Sequence, residues 1–82
     1  MYKVRLDDLA KKFLKKLDQQ EQIRIIKKLR QLKTNSELGK PLTGNLSRLW
    51  SLRVGKYRAL YEIRKNELLI FVLDIGHRKN IY

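Results

Sequence analysis

The spacing of apolar residues changes once along the chain, and this change constrains the fold more than any other feature. Up to about residue 32 the apolar residues recur every three or four positions, which is the period of an amphipathic helix. From residue 49 onward they alternate or form short runs of aliphatic and aromatic side chains, as strands do. Patterns segregated in this way predict an α+β fold, with helices on one face of an antiparallel sheet.

The N-terminal half predicts one strand followed by two helices. Residues 2–6 alternate and are predicted as a strand, after which Asp7 or Asp8 caps a helix. The apolar stripe of that helix is Leu6, Leu9, Ala10, Phe13, Leu14 and Leu17. Asp18 and Glu21 have capping-box spacing and begin a second helix. Its expected buried face is Ile23, Ile26 and Leu29, with Ile25 and Leu32 alongside. The short connection predicts an antiparallel helical hairpin.

The C-terminal half predicts a loop and three strands. Asn35, Gly39 and Pro41 end the second helix, and a loop is expected at residues 39–45. Strands are expected at residues 49–54, 58–63 and 68–75, with turn-length spacers at 54–57 and 64–67. The pattern leaves open which face of the last strand is buried. The order β-α-α-β-β-β predicts a single domain over residues 1–82, in which an N-terminal strand, a helical hairpin and a three-stranded antiparallel meander form one sheet.

The excess of basic residues is the strongest signal in the composition. Twenty Lys and Arg against eight Asp and Glu give a formal net charge of +12. This charge exceeds the magnitude of roughly 2–8 that keeps a small domain soluble, and it attracts polyanions. Nucleic acid, an anionic membrane surface and an acidic protein all fit as partners. The simpler alternative is a surface that is merely well solvated.

Several kinds of chemistry are excluded by residues that the chain lacks. Without cysteine there are no disulfides, no thiol catalysis and no Cys-based zinc site, and a reducing compartment is expected. His77 is the single histidine, which excludes a two-histidine ribonuclease mechanism. No carboxylates have convincing metal-ligand spacing, so neither metal nor cofactor is predicted. With no apolar run of signal-peptide or membrane-spanning length, the expected location is the cytoplasm.

Two arginines are predicted to face each other across the first hairpin. If residues 54–57 form a turn, Arg53 and Arg58 lie directly opposite, with Cβ atoms about 4.5–5.5 Å apart. Like charges at this distance repel unless an anion bridges them, and an arginine fork binds phosphate bidentately. The alternative is that the arginines pair with Glu62 or Asp74, or extend into water.

A second basic cluster lies at residues 76–82, where His77, Arg78 and Lys79 are consecutive and Tyr82 follows. Metal-free chemistry on a phosphate needs guanidinium charge to stabilise the transition state. It also needs a general acid or base drawn from Tyr, His or Lys, and imidazole transfers protons near neutral pH. The alternative for this segment is a frayed basic tail.

Residues 49–63, LWSLRVGKYRALYEI, and residues 72–82, VLDIGHRKNIY, resemble the RelE branch of the RelE/ParE toxin superfamily. The pattern RVGxYR…YEI…GHRxxxY carries the resemblance, and the preceding KPLTGNLSRLW also fits. The resemblance implies a microbial-ribonuclease-like domain that acts as a type II toxin: a ribosome-dependent endoribonuclease, or mRNA interferase. It implies cleavage in the A site, without metal, by the ribose 2′-hydroxyl. It also implies an acidic, RelB-like antitoxin and a hetero-oligomeric complex with it.

The resemblance also implies roles for individual residues. Arg58 matches an arginine that contacts the scissile phosphate, and Arg78 matches one that stabilises the developing charge. Tyr82 matches a tyrosine near the 2′-hydroxyl. The expected supporting residues are Arg53, His77, Lys56, Arg48 and Lys79. The chain departs from the pattern at Leu49 and Ser51, where some relatives carry lysines, and the general base is left to Tyr82, His77, Lys56 or Arg48.

Two other functions compete with the nuclease. One is a ParE-like toxin that binds a DNA topoisomerase and cuts nothing; the other is a non-catalytic domain that binds RNA or the ribosome. The departures at Leu49 and Ser51 keep the latter open, while the GHRxxxY ending favours the ribonuclease.

Overall fold

The computed structural model describes residues 1–77, in which two helices pack against one face of a five-stranded sheet. In chain order the elements are β1 (Lys3–Leu6), α1 (Asp8–Lys15), α2 (Gln19–Arg30), β2 (Lys40–Pro41), β3 (Leu49–Val54), β4 (Tyr57–Arg64) and β5 (Leu69–His77). Single 3-10 turns lie at Gln31–Lys33, Gly44–Leu46 and Lys65–Glu67. The expected α+β class is confirmed. No helix within residues 1–77 has the length and apolarity needed to cross a bilayer.

The strand order in the sheet is β1-β5-β4-β3-β2. From β2 to β5, each strand pairs antiparallel with the next, so the predicted meander of β3, β4 and β5 is confirmed. The N-terminal strand β1 lies at the far edge and pairs in parallel with β5. The chain reaches this arrangement because α1 and α2 carry it across one face of the sheet before the meander begins.

The strand β2 was not predicted, because its two residues fall within the expected loop at residues 39–45. Lys40 pairs with Ser51 and Pro41 with Trp50 at the edge of the sheet. Two residues are too short to show alternation. A proline is tolerated in a strand only where its missing N–H is not needed, as at an edge. The remainder of β3, beyond Ser51, has no strand on that side within residues 1–77.

The buried face predicted for the second helix is confirmed only in part, for Ile25, Leu29 and Leu32. The buried residues are Ile25, Leu29 and Leu32, whereas Ile23 and Ile26 are exposed. The side-chain amide of Gln22 donates to the carbonyl oxygens of Leu14 and Leu17, at 2.8 and 3.0 Å. These bonds satisfy carbonyls at the end of α1, and they turn the side of α2 that carries Gln22 and Ile25 toward the core.

The start of α2 agrees with the prediction, and the stripe of α1 is narrower than expected. The Asp18 carboxylate accepts a hydrogen bond from the Glu21 backbone N–H at 2.9 Å, as a capping residue does. In α1, Ala10 and Leu14 are buried, but Leu9 is exposed. A helix of eight residues presents only two turns to the sheet, so one edge of its apolar stripe remains in solvent.

A β-bulge settles which face of β5 is buried. Leu60 pairs with Asp74 but Tyr61 pairs with Val72, so Leu73 is an extra residue in the ladder. The bulge shifts the alternation by one position, and Ile70, Val72 and Ile75 therefore all point into the core. The same shift explains why the sequence alone makes both faces of this strand look apolar.

Neighbouring isoleucines of α2 provide a direct test of its orientation. Ile25 is 0% exposed and Ile26 is 37% exposed. We expect Ile25→Ala to lower the free energy of unfolding by about 2–5 kcal/mol, because it leaves a cavity in the core. Ile26→Ala removes the same atoms from a partly exposed site and should cost less, about 1 kcal/mol. Urea denaturation of both variants is the measurement, and equal losses would contradict the assigned face.

Candidate functional site

The β3–β4 hairpin sets the geometry of the site. Its turn consists of Gly55 and Lys56 alone, which is shorter than predicted. Gly55 has a φ of +59°, a value that glycine adopts without strain and that short hairpin turns require. Arg53 and Arg58 are directly opposed in the ladder, as expected from the sequence.

Both arginines lie on the face of the sheet that the helices do not cover. Side chains alternate along a strand, and the neighbouring pair of Val54 and Tyr57 is buried in the core. Arg53 and Arg58 therefore point to the opposite face. On the next strand, Gly76 lies opposite Arg58, where it has no side chain to crowd the guanidinium. The hairpin thus presents Arg53 and Arg58 side by side on the face opposite the helices, with Arg53 exposed and Arg58 partly buried.

A cavity of about 380 Å³ adjoins these arginines, and we call it the arginine cavity. Its lining includes four cations, which are Lys28 of α2, Lys40 of β2, Arg53 and Arg58. The other lining residues are Leu38, Gly39, Pro41, Leu42, Ser51 and Leu52. Among the described residues, no carboxylate lines it. Four cations drawn from four elements of the fold therefore converge on one concave surface, and such a surface concentrates positive potential.

A buried tyrosine holds one wall of the arginine cavity in place. The Tyr61 hydroxyl donates to the Ser36 carbonyl oxygen at 2.8 Å and accepts from the Gly39 N–H at 3.0 Å. Gly39 fits tightly, since a Cβ there would lie 2.6 Å from the Ser51 carbonyl oxygen. The position of Lys40, the next residue, follows from this contact. Sequence reasoning missed this role, because the partners of Tyr61 are backbone atoms more than twenty residues away.

The two buried tyrosines of β4 stay protonated at neutral pH. Burial raises the pKa of Tyr57, and a hydrogen bond to the Glu21 carboxylate raises it further. Burial also raises the pKa of Tyr61, and the Gly39 N–H offsets only part of that increase. Both groups therefore act as structural phenols, and neither supplies a phenolate base near pH 7.

His77 lies on the other side of the sheet from the arginines. It pairs with Tyr57 on the helix-covered side, and its ring meets that of Tyr57 at 5.2 Å. The same ring packs edge-on against Phe13 of α1, at 6.0 Å and 87°. The structure thus does not bring His77 together with Arg53 and Arg58, and its imidazole joins an aromatic cluster instead.

Arg48 and Lys56 also lie away from the arginine cavity. Arg48 is 3.8 Å from the Glu62 carboxylate, with 83% of its side chain exposed, and Arg64 pairs with the same carboxylate at 2.6 Å. Lys56 places its ammonium group 5.6 Å from the centre of the Tyr57 ring. Arg78, Lys79 and Tyr82 lie outside the described residues. Within residues 1–77 no group of three or more His, Asp or Glu side chains is arranged to hold a metal ion.

Comparison with known proteins places this geometry in a family. The model of the ParE toxin of type II toxin-antitoxin systems matches residues 4–82. Toxin RelG of Mycobacterium tuberculosis is 40% identical over 45 residues, which cover 55% of this chain and 52% of RelG, about half of that relative. The toxin-antitoxin complex RelBE2 of M. tuberculosis contains a chain with a TM-score of 0.86 and 30% identity, covering 94% of this chain and 98% of that one.

The isolated E. coli RelE toxin has the same fold, with a TM-score of 0.78 at 21% identity, over 94% of this chain and 84% of that one. The chain therefore belongs to the ParE toxin family, within the RelE/ParE superfamily of type II toxins.

The hydroxyl of Tyr61 can be tested by its removal. We expect Tyr61→Phe to lower the free energy of unfolding by about 1–3 kcal/mol, because the Ser36 carbonyl and the Gly39 N–H lose a hydrogen-bond partner. The ring of Trp50 stacks on Tyr61 at 6.3 Å, so tryptophan fluorescence in urea is a suitable probe. Ser36→Ala is the control, since the accepting atom belongs to the backbone. Equal stability of the two variants would show that the hydroxyl does not hold this wall.

The aromatic packing of His77 predicts that its nitrogens are dispensable. We expect His77→Phe to keep full toxicity in cells without antitoxin, because phenylalanine preserves contacts with Phe13 and Tyr57. His77→Ala should lower the melting temperature slightly, since the exposed ring loses its contacts with the rings of Phe13 and Tyr57. A folded but harmless His77→Phe variant would instead show that the imidazole takes part in the toxic activity.

Proposed function

We propose that this toxin is a ribosome-dependent mRNA endonuclease that cuts in the A site, without metal, by attack of the ribose 2′-hydroxyl. The observation that carries the proposal is the opposed pair of Arg53 and Arg58 on the face that the helices do not cover, around a cavity that is also lined by Lys28 and Lys40. The GHRxxxY ending at residues 76–82 supplies the guanidinium group of Arg78 and the phenol of Tyr82, which the proposal also uses.

The arginine cavity is large enough for a nucleotide and carries the charge that a phosphate group favours. Its volume of about 380 Å³ lies within the range of roughly 300–1,000 Å³ that small-ligand sites occupy. Two cations that are directly opposed in a ladder repel each other, and an anion bound between them would reduce that repulsion. Each arginine can give two parallel N–H bonds to phosphate oxygens and stays charged at all physiological pH values. These properties support a phosphodiester as the ligand.

The proposed reaction is balanced within the RNA itself. The 2′-oxygen attacks the adjacent phosphorus, the bond from phosphorus to the 5′-oxygen breaks, and the products are a 2′,3′-cyclic phosphate and a 5′-hydroxyl. One proton leaves the 2′-oxygen and one is delivered to the 5′-oxygen, so the RNA keeps the same number of protons and no water is consumed. Negative charge grows on the nonbridging oxygens in between, and guanidinium groups stabilise it. We assign this role to Arg58 with Arg78, and contact with the 2′-hydroxyl to Tyr82.

The proposal includes the partners of the toxin. An acidic, RelB-like antitoxin would neutralise the basic face, and complementary charge would speed their association. The RelBE2 structure is itself a toxin-antitoxin complex, which supports a partner of this kind. In the absence of the antitoxin, the ribosome and its messenger in the cytoplasm are the proposed targets.

A second candidate function is favoured by the family model, whose description names ParE. In that case the toxin binds a DNA topoisomerase and cuts nothing itself. The two candidates differ in the process that stops first after induction: protein synthesis for the endonuclease, and DNA replication for the topoisomerase-binding toxin.

Substitution of Arg58 tests the endonuclease. On induction without antitoxin, we expect primer extension on an abundant messenger to show new ends at A-site positions. Arg58→Ala should reduce these ends by about 10²–10³-fold, the loss expected when one group stabilising the transition state is removed. Arg30→Ala is the matched control: Arg30 is exposed on α2 and is not among the residues that line the arginine cavity.

Two results would overturn the endonuclease. One is an Arg58→Ala variant that is folded and cuts as well as the Arg30→Ala control. The other is an arrest of DNA replication before translation with no new ends on any messenger, which would establish the topoisomerase-binding function instead.

A further inference from the structure

A second concave surface lies beside the arginine cavity, and the proposed reaction does not use it. Its volume is about 340 Å³. The residues that line it include Arg24, Lys27, Lys28, Gln31, Arg53 and Gly55. We call it the helix cavity, because four of these residues lie on α2 and the 3-10 turn that follows. Lys28 and Arg53 line both cavities, so the two form one continuous basic surface.

The chemistry of the helix cavity matches a phosphate backbone. Four of its lining residues are cations, Gln31 adds an amide, and no lining residue among those described is a carboxylate. Lys27 and Lys28 lie three and four positions after Arg24, which places both next to Arg24 on one side of α2. Like charges at this spacing destabilise a helix by a few tenths of a kcal/mol, roughly 0.2–0.5 per pair, and a bound polyanion removes that cost.

The hairpin turn helps to set the position of Arg24. A Cβ on Gly55 would lie 3.3 Å from the Cζ atom of Arg24, so the guanidinium rests against the turn that fixes Arg53. Glu21 is 3.8 Å from Arg24, and 62% of the Arg24 side chain is exposed. A contact of that length is not a hydrogen bond, and an exposed pair of this kind contributes little. Arg24 is therefore placed to serve a ligand in the helix cavity.

An RNA strand fits this surface better than an acidic protein does. Protein interfaces depend on apolar or aromatic anchors seated in pockets, and the only apolar side chain lining the helix cavity within residues 1–77 is that of Val54, which is buried in the core. The exposed apolar residues of α2, Ile23 and Ile26, are not among the lining residues. A surface rich in cations and poor in anchors is typical of contact with a phosphate backbone.

We propose that the helix cavity is a second RNA-binding site, in which Arg24 and Lys27 hold phosphates of the same strand whose scissile phosphate lies between Arg53 and Arg58. This inference rests on the proposed function and adds to it the length and polarity of the substrate. The recognised unit is then several consecutive nucleotides of single-stranded RNA rather than one dinucleotide step. Specificity for sequence is not required here, because phosphate contacts carry none.

The test uses the full-length toxin and two uncleavable probes. One is a fluorescent octamer of uridine with 2′-deoxy substitutions, and the other is a dinucleotide with the same substitution, whose single phosphate fills only the arginine cavity. The double variant Arg24→Gln/Lys27→Gln is compared with Lys11→Gln/Lys15→Gln, which removes the same charge from exposed positions on α1. Dissociation constants are measured by anisotropy over a range of salt concentrations.

We expect the Arg24/Lys27 variant to bind the octamer more weakly and to depend less on salt. The slope of log K against log salt should become less negative by about 1.4, or about 0.7 for each lost contact to a single strand. Its affinity for the dinucleotide should equal that of the wild type. The Lys11/Lys15 variant should keep the wild-type slope with both probes. The single variants Arg24→Gln and Lys27→Gln should each show about half of the change in slope that the double variant shows. Melting curves will show that all variants are folded.

Three outcomes would overturn the second site. The first is a salt slope of the Arg24/Lys27 variant equal to that of the Lys11/Lys15 control, and the second is a wild-type toxin that does not bind the octamer. The third is normal RNA binding with weakened antitoxin binding, which would assign the surface to the protein partner. Failure of the proposed function gives a different result: octamer binding that depends on Arg24 and Lys27, but no cleavage of any messenger.

Discussion

The register of the β3–β4 hairpin is the constraint on which the functional surface depends. Side chains alternate between faces along a strand, so a slip of one residue would exchange the buried pair Val54 and Tyr57 with the pair Arg53 and Arg58 on the opposite face. The two-residue turn at Gly55 prevents that slip because its geometry joins the strands at a single alignment. The burial of Tyr57 against Phe13 reinforces it from the core side, with ring centroids 5.7 Å apart.

The basic surface opposes the stability of the fold that presents it. Lys28, Lys40, Arg53 and Arg58 are held around one cavity in a chain of net charge +12, and a domain of this size buries only about 60% of its unfolded surface. Any anion that binds the folded form will therefore raise its stability by mass action. A polyanionic substrate and an acidic antitoxin would both have this effect, so binding and folding are expected to be coupled in this family member.

Much of the fold could be predicted from the sequence, because most of it follows from local patterns. The strands of the meander, the Asp18 cap and the opposition of the two arginines depend on spacing along a short stretch of chain, and all three agree with the structure. Ile23 and Ile26 were wrongly predicted to be buried because the orientation of α2 is fixed by a tertiary contact, that of Gln22 with the end of α1. The strand β2 and the bulge at Leu73 were missed because each involves only one or two residues.

The residues of the candidate site were likewise predicted where local sequence determines their position and missed where tertiary packing does. Arg53 and Arg58 were identified because cross-strand geometry is encoded by the turn between them. The face of the sheet to which His77 points was not predicted, because it depends on the bulge that precedes His77 in β5 and on the ring of Phe13. Lys28 and Lys40 gave no signal in the sequence. Each is one lysine among many, and only the packing of α2 and the clamp of Tyr61 on Gly39 bring them to the arginine cavity.

The parallel pairing of β1 with β5 has a consequence for synthesis of the protein. β5 lies between β1 and β4 in the sheet, so the first strand made has no neighbour until the strand ending at His77 has emerged. Contacts between such distant parts of a chain form slowly, because the intervening loop must first be closed. A nascent chain cannot complete its sheet during translation of the earlier elements. The domain therefore acquires its complete sheet only after β5 has been made.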